Sequence, residues 1–223
     1  MPTAPYSPVV LTDLNLPWEG VLHLGVPVTF APRQVITVSA ATASSGFYYI
    51  RKGRVRLSYI APNGQEKVLF YLGKGTLFAE IPIMVISAEC IFTCMDEVSA
   101  VLFKKKEVTS LQFAKEHPEL MLNWIESSCI KSGNFFNQLC NSGLFDAFGN
   151  VCRLLYSMAL HSPDPRRLVP QLSQQELASM LGIHRGSLHK ALTRLKKENV
   201  IGDYSKRELR IYDLDLLKYY AEA

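Results

Sequence analysis

Residues 172–201, LSQQELASMLGIHRGSLHKALTRLKKENVI, restrict the fold of this chain more than any other segment. Ser173 followed three positions later by Glu176 forms a capping box, in which each side chain takes up a backbone N–H left open at a helix start. Leu177, Ala178 and Leu181 supply a short apolar face, Gly182 a tight turn, and Leu188, Leu192 and Leu195 the buried stripe of a second helix. The segment predicts two short helices that meet at a glycine and pack through leucines.

Opposite those leucines the second helix presents Arg185, Gly186, His189, Lys190 and Arg194, with Arg185 and Gly186 close to its N-terminus. Arginine and lysine donate to guanine O6 and N7, and histidine donates or accepts, so this face has the chemistry to read base edges in a major groove. Ser173, Gln175 and Ser187 stand at helix starts and suit phosphate oxygens. Positive charge gathers in the same place: eight Lys or Arg against three Asp or Glu from His184 to Arg210, in a chain whose net charge is only +4. Such local basicity points to a polyanion-binding surface. A helical hairpin with an ordinary charged exterior would have the same composition. Residues 203–212 predict a two-stranded wing with a basic tip carrying Lys206.

The 223 residues suffice for two modest domains. From about Gly20 to Phe103 short β-rich runs alternate with glycine turns: Phe47 to Ile50, Arg54 to Ile60 and Lys67 to Leu72, with turns at Lys52-Gly53 and Pro62-Asn63-Gly64. Many short strands at such spacing predict a barrel or sandwich. After Pro118 the period changes. Leu122, Ile125, Cys129, Ser132, Phe136 and Leu139 follow steps of three and four, the seam of a helix that pairs with a copy of itself, and Ser142-Gly143 is expected to end it. A further helix is expected from Val151 to Leu160, stopped by the loop at Pro163, Asp164 and Pro165. The five cysteines form no secreted-type framework. No basic stretch leads into a continuous apolar run, and charges or prolines interrupt every apolar segment, so a cytoplasmic chain with reduced thiols and no membrane partner is expected.

The run FYYIRKGRVRLSYIAPNGQEKVLFYLGKGTLFAE, followed by the helix-turn-helix above, resembles the cyclic AMP receptor/fumarate-nitrate reduction (CRP/FNR) superfamily of transcription regulators, over nearly the whole chain from about Gly20 to Tyr212. The resemblance implies an α+β fold: a β jelly-roll effector-sensing domain over residues 1–117, a dimerisation helix over 118–143, and a winged helix-turn-helix DNA-binding domain over 144–223. It further implies a homodimer on a pseudo-palindromic promoter site of double-stranded DNA, acting with RNA polymerase, and a small-molecule effector that shifts the population of DNA-competent arrangements.

Departures from the family pattern narrow the effector. Cyclic-nucleotide sensors carry Gly-Glu in the phosphate turn and an Arg-Ser or Arg-Thr pair soon after; here the turn reads Ala79-Glu80, and no Arg or Lys occurs from Ile81 through Phe103. A buried cyclic phosphate would lack its cation, which argues against cyclic AMP. The position of Lys131 resembles that of the lysine with which halorespiration regulators of the superfamily hold a halogenated phenolic acid. An anionic, aromatic effector is therefore expected among Phe70, Tyr71, Glu80, Lys131, Asn134 and Phe135, although a solvated Lys131 fits the sequence equally well. On the DNA side, Gly186 stands where several members have glutamate and Lys190 where they have arginine, so the family operator is not assumed.

Four other readings are weighed against the same residues. Iron–sulfur members need a cysteine cluster before Cys90, which is absent, and the spacing of Cys90 and Cys94 is too long for a direct disulfide, so buried inert thiols are expected. A haem- or redox-sensing regulator of the same fold stays open: His23 lies near the sensor, Cys and Met are available as ligands, and noncovalent haem needs no attachment motif. A metal-dependent jelly-roll enzyme needs several convergent histidines, and His23 alone falls in the expected barrel, so no enzyme is expected. A sensor module acting through a protein partner differs from a DNA-binding regulator in its salt dependence.

Overall fold

Branched and aromatic runs punctuated by glycine fold as strands, in chain order β1 (Val10–Leu11), β2 (Val26–Phe30), β3 (Val35–Val38), β4 (Gly46–Lys52), β5 (Val55–Ile60), β6 (Glu66–Leu72), β7 (Leu77–Phe78), β8 (Cys90–Cys94) and β9 (Val98–Lys104). The computed structural model describes residues 10–38, 46–60, 66–80 and 90–223; the Asn63-Gly64 turn expected from the sequence lies outside the described residues. The strands form two antiparallel sheets, ordered β1-β6-β5-β8-β3 and β2-β9-β4-β7. Two compact units divide the chain, one from Leu11 to Gly133 and one from Asn134 to Ala223 that also takes in Val10, and the division after Gly133 falls inside a helix.

In the first unit, register places Leu57 opposite Phe70 on β6 and Phe92 on β8, and Val55 opposite Leu72 and Cys94, so one face of the larger sheet is apolar and buried. A second cluster gathers around Trp18 in the 3-10 helix Leu16–Leu24. Its ring meets Phe47 and Phe103 edge-on, with centroids 5.2 and 5.1 Å away, and Trp124 at 6.3 Å. Edge-to-face pairs of this kind contribute about 0.5–1.5 kcal/mol each beyond area burial. Gly53 takes φ +87°, and a Cβ there would collide with the Glu97 carbonyl, which explains why that turn needs glycine.

Three helices follow: α1 (Lys105–Val108), α2 (Leu111–Glu116) and α3 (Pro118–Leu144). The expected break at Ser142-Gly143 does not occur, because α3 continues to Leu144. Just beyond it the Asp146 carboxylate accepts from the Gly149 amide at 2.7 Å and caps the next helix, α4 (Ala147–Leu160). That helix also begins four residues before the expected Val151.

Along α3 two stripes run on opposite sides. Leu120, Trp124, Ser127 and Lys131 turn inward, with Leu120, Ser127 and Lys131 almost fully buried. Leu122, Ile125, Phe136 and Leu139 are 69%, 61%, 66% and 72% exposed, and Cys129 and Ser132 are exposed with them. At about 100° per residue the two stripes are centred roughly 150° apart.

The second unit continues with β10 (Arg167–Leu168), α5 (Gln174–Leu181), α6 (Arg185–Lys197), β11 (Leu209–Arg210) and α7 (Leu214–Glu222). The wing differs from its expected form. The chain does turn back on itself, with the Ser205 amide donating to the Glu208 carbonyl at 3.1 Å, the Gly202 amide to the Arg210 carbonyl at 2.9 Å and an Ile201–Ile211 bridge, but β11 also pairs with β10 from before α5, through Arg167 opposite Arg210 and Leu168 opposite Leu209. Leu168 and Leu209 are both buried, so the pairing is driven by apolar contact from across the unit. Among the described residues no helix is long and apolar enough to cross a membrane. The fold is α+β, with a β-rich first part and a helix-turn-helix near the C-terminus.

Candidate functional site

The capping box of α5 forms as the sequence required: the Ser173 amide donates to Glu176 Oε2 at 2.7 Å and the Glu176 amide donates to Ser173 Oγ at 3.3 Å. Gly182 closes the helix in the left-handed conformation at φ 68°, letting the chain turn directly into α6. Leu177 and Ala178 are buried as expected, but Met180 takes the third buried place and Leu181 is only half-buried. On α6, Leu188, Leu192 and Leu195 are buried, and Ala191, which the sequence reading left out, is buried with them.

The opposite face of α6 is open. Arg185, Gly186, His189 and Lys190 are exposed, Ser187 is half-buried, and no atom lies within 4 Å of where a Gly186 Cβ would sit. His184 precedes the helix without capping it through its side chain, leaving the N-terminal amides of α6 free of that contact. Gln175 is exposed in the first turn of α5, and Ser173 is half-buried at its cap. Lys206 is exposed in the turn between Ser205 and Glu208, where its carbonyl accepts from the Gln171 amide at 2.8 Å. Tyr204 fixes the base of that turn through its hydroxyl, which donates to the Leu172 carbonyl at 3.0 Å. Thr193 and Lys197, absent from the sequence reading, line the same groove as His189 and Lys190. Arg194 lines this groove too and is exposed, but it is engaged within the unit: Nε donates to Glu198 at 3.0 Å, and its guanidinium lies 3.9 Å from the centre of the Phe148 ring.

The first unit buries a different polar group. Lys131 and Glu80 form an ion pair with side chains 2% and 3% exposed, and Lys131 Nζ also donates to the Leu77 carbonyl at 2.9 Å. Lys131 is therefore no solvated helix residue. Glu80 reaches it from a turn in which Ala79 adopts φ 68°, a conformation glycine takes at no steric cost and alanine does not. The Leu77 amide donates to Asn15 Oδ1, Asn15 Nδ2 donates to Asn123 Oδ1, and Asn123 Nδ2 donates to the Leu14 carbonyl, each at 2.9 Å. Leu77 is thus tied at its carbonyl to α3 directly and at its amide to α3 through Asn15. Asn15 and Asn123 were missed by sequence reading, since nothing local marks a bond across 108 residues.

Of the other expected pocket residues, Phe70 is buried on the face that carries Leu57 and Phe92, whereas Tyr71 pairs with Arg56 on the opposite face. Neighbours on a strand point to opposite sides, so Phe70 and Tyr71 do not wall one cavity together. Asn134 and Phe135 belong to the second unit and are half-buried. His23, the histidine expected in the barrel, is exposed on the 3-10 helix. Burial pushes the Cys94 thiol up and the Cys152 thiol up to about 12, so both stay protonated and unreactive near neutrality.

Residues 27–114 match the model of the cyclic nucleotide-binding domain, and residues 150–220 match that of the Crp-like helix-turn-helix domain, together spanning more than half of the chain in the family's order. The chain belongs to the CRP/FNR family. Among curated CRP/FNR relatives it is 23% identical over 186 residues to the cAMP-activated global transcriptional regulator CRP of Haemophilus influenzae, covering 78% of this chain and 80% of that one. Two solved structures share its fold. A mutant of CooA from Carboxydothermus hydrogenoformans superposes with a TM-score of 0.80 at 19% identity, covering 94% of this chain and 99% of that one. CprK in complex with OCPA gives a TM-score of 0.79 at 17% identity, covering 94% and 98%. As a CRP/FNR member the chain is a DNA-binding transcription regulator with a cyclic nucleotide-binding-like sensor, and not an enzyme.

Proposed function

We propose that this regulator binds a pseudo-palindromic promoter site as a homodimer, with α6 of each subunit in successive major grooves, and that an anionic small molecule acting at Lys131 controls it. The observation that carries the DNA assignment is the sidedness of α6: Leu188, Ala191, Leu192 and Leu195 are buried while Arg185, His189 and Lys190 stand open. Arg185 and Lys190 are the base-reading donors, with His189 beside them. Gly186 lets the backbone approach the duplex, and Ser173, Gln175, Ser187 and Lys206 hold phosphates. RNA polymerase is the partner on the promoter.

A second copy of the chain is the natural cover for the outer stripe of α3, because Leu122, Ile125, Cys129, Phe136 and Leu139 recur at the steps by which paired helices interlock, and regulators of this family act as dimers.

At the sensor, the halorespiration likeness and the burial of Lys131 favour a carboxylate or phenolate over a cyclic nucleotide. An anion arriving beside Lys131 finds its charge already compensated by Glu80. Two anions cannot share one buried ammonium without cost, so Glu80 must give way. Its departure would free the Ala79-Glu80 turn from α3, the helix that carries the dimer seam, while Leu77 keeps its own bonds to Lys131 and Asn15, which gives the effector a preference for one arrangement over another.

The test is a titration of a duplex selected by the wild-type chain from a random pool, across a salt series. Arg185→Ala and Lys190→Ala should each weaken binding by about 1–3 kcal/mol while gel filtration still shows a dimer. Wild-type affinity in both variants would defeat the assignment of α6. Binding indifferent to salt would point to a protein partner instead.

A further inference from the structure

Arg194 sits in the last turn of α6, about 40° around the helix from Lys190, and its exposed side chain lines the same groove as His189 and Lys190. Three elements converge on it. The Phe148 ring at the start of α4 lies 3.9 Å from the guanidinium carbon, the Tyr220 ring of α7 lies 5.2 Å from it, and the two rings meet edge-on with centroids 5.3 Å apart. Glu198, the C-cap of α6, takes the Nε hydrogen bond. The helix that presents the DNA-facing side chains is therefore pinned near its C-terminal end by one cation held between two aromatic rings and a carboxylate.

The far side of this joint is anchored as well. Arg153 of α4 donates to the carbonyl of Ala221, at the C-terminus of α7, at 2.9 Å, and its guanidinium lies 4.1 Å from the Phe145 ring. That interaction places a cation against the open carbonyls of a helix end. Leu217 and Ala221 are buried, so α7 is packed along this side of the unit.

We propose that Arg194 is a positioning residue that sets the angle of α6 through Phe148 and Tyr220, and that the C-terminal helix α7 is thereby part of the DNA-binding apparatus. This assignment rests on α6 being the helix that enters the groove. It moves Arg194 out of the set of DNA contacts in which its charge alone would place it. The joint depends on a planar, stacking cation, so lysine is no substitute although it keeps the charge.

The experiment measures affinity of the full chain for the selected duplex against salt, with circular dichroism establishing that each variant is folded at the temperature used. Arg194→Lys and Arg194→Ala should lose affinity alike, roughly ten-fold, with the slope of log K against log salt unchanged. Phe148→Leu should do the same, Phe148→Tyr should restore wild-type binding, and Phe148→Leu combined with Arg194→Ala should lose no more than either alone. Lys190→Ala serves as the comparison, since removing a direct contact weakens binding without involving the joint. If Arg194→Lys binds as wild type while Arg194→Ala lowers the slope by about 0.9, Arg194 is a phosphate contact and the proposal fails. Wild-type affinity in Phe148→Leu also overturns it. If Arg185→Ala and Lys190→Ala leave affinity unchanged, the assignment of α6 itself has failed, a separate outcome.

Discussion

Replacing Lys131 with methionine keeps a stem of similar length and removes only the ammonium. Glu80 then retains a carboxylate in a site where its side chain is 3% exposed, with no cation beside it. Breaking one half of a buried pair costs about 3–5 kcal/mol, because the remaining charge is neither hydrated nor paired. The hydrogen bond to the Leu77 carbonyl is lost as well, a smaller effect of about 1 kcal/mol that overlaps with the first. A destabilisation of about 4 kcal/mol, divided by a urea dependence of about 2 kcal/mol per molar, moves the unfolding midpoint down by roughly 2 M. The chain holds two tryptophans, Trp18 and Trp124, both in the unit that contains the pair, so intrinsic fluorescence reports unfolding of that unit selectively. The double variant Lys131→Met with Glu80→Leu should recover to within about 1 kcal/mol of wild type, since two apolar side chains leave no orphan charge. A midpoint shift under about 0.5 M in Lys131→Met, or a double variant as unstable as the single one, would refute the reasoning.

Ala79→Gly removes the steric cost of a left-handed alanine and should raise stability by about 0.5–1 kcal/mol, read as a higher melting temperature; a lower one would mean that the turn is not strained. Cys129 lies on the exposed stripe of α3, so mild oxidation should yield a covalent dimer on a non-reducing gel that Cys129→Ser abolishes; an oxidised chain that stays monomeric counts against pairing along this face. Neutral-pH thiol reagents should leave Cys94 and Cys152 untouched until urea is added, because burial holds both of those thiols in their protonated form. Ser173→Ala deletes the cap of α5 and should cost about 1 kcal/mol in a thermal melt, with no loss expected only if the Glu176 contact suffices alone.

What could be read from the sequence was what is local or periodic. The capping box, the left-handed Gly182 and the leucines of α6 all act within a few residues of one another, and the outer stripe of α3 follows the helix period in plainly apolar letters. The inner stripe escaped notice because Ser127 and Lys131 break its apolar pattern, and only the three-dimensional neighbours of Lys131 reveal why a lysine belongs there. The additional strand of the wing was missed because Leu168 and Leu209 meet across 41 positions, a distance no turn signal spans. Arg194 looked like its neighbours in charge; its aromatic partners come from α4 and α7, far along the chain. The end of α3 was placed at a glycine, the usual breaker, whereas the helix runs on to Leu144 and the Asp146 carboxylate starts the next one.

The opposed stripes of α3 make the length of that helix as binding a constraint as its composition. A single residue inserted between Trp124 and Ser127 would swing everything downstream by about 100°, turning Lys131 away from Glu80 and carrying Phe136 and Leu139 off their line with Leu122 and Ile125. Substitutions on either stripe can be absorbed one at a time, but a change of count cannot, because the helix would satisfy one side only by misaligning the other. Natural variation in this segment should therefore run through exchanges of side chain, with gaps displaced to the loops on either flank.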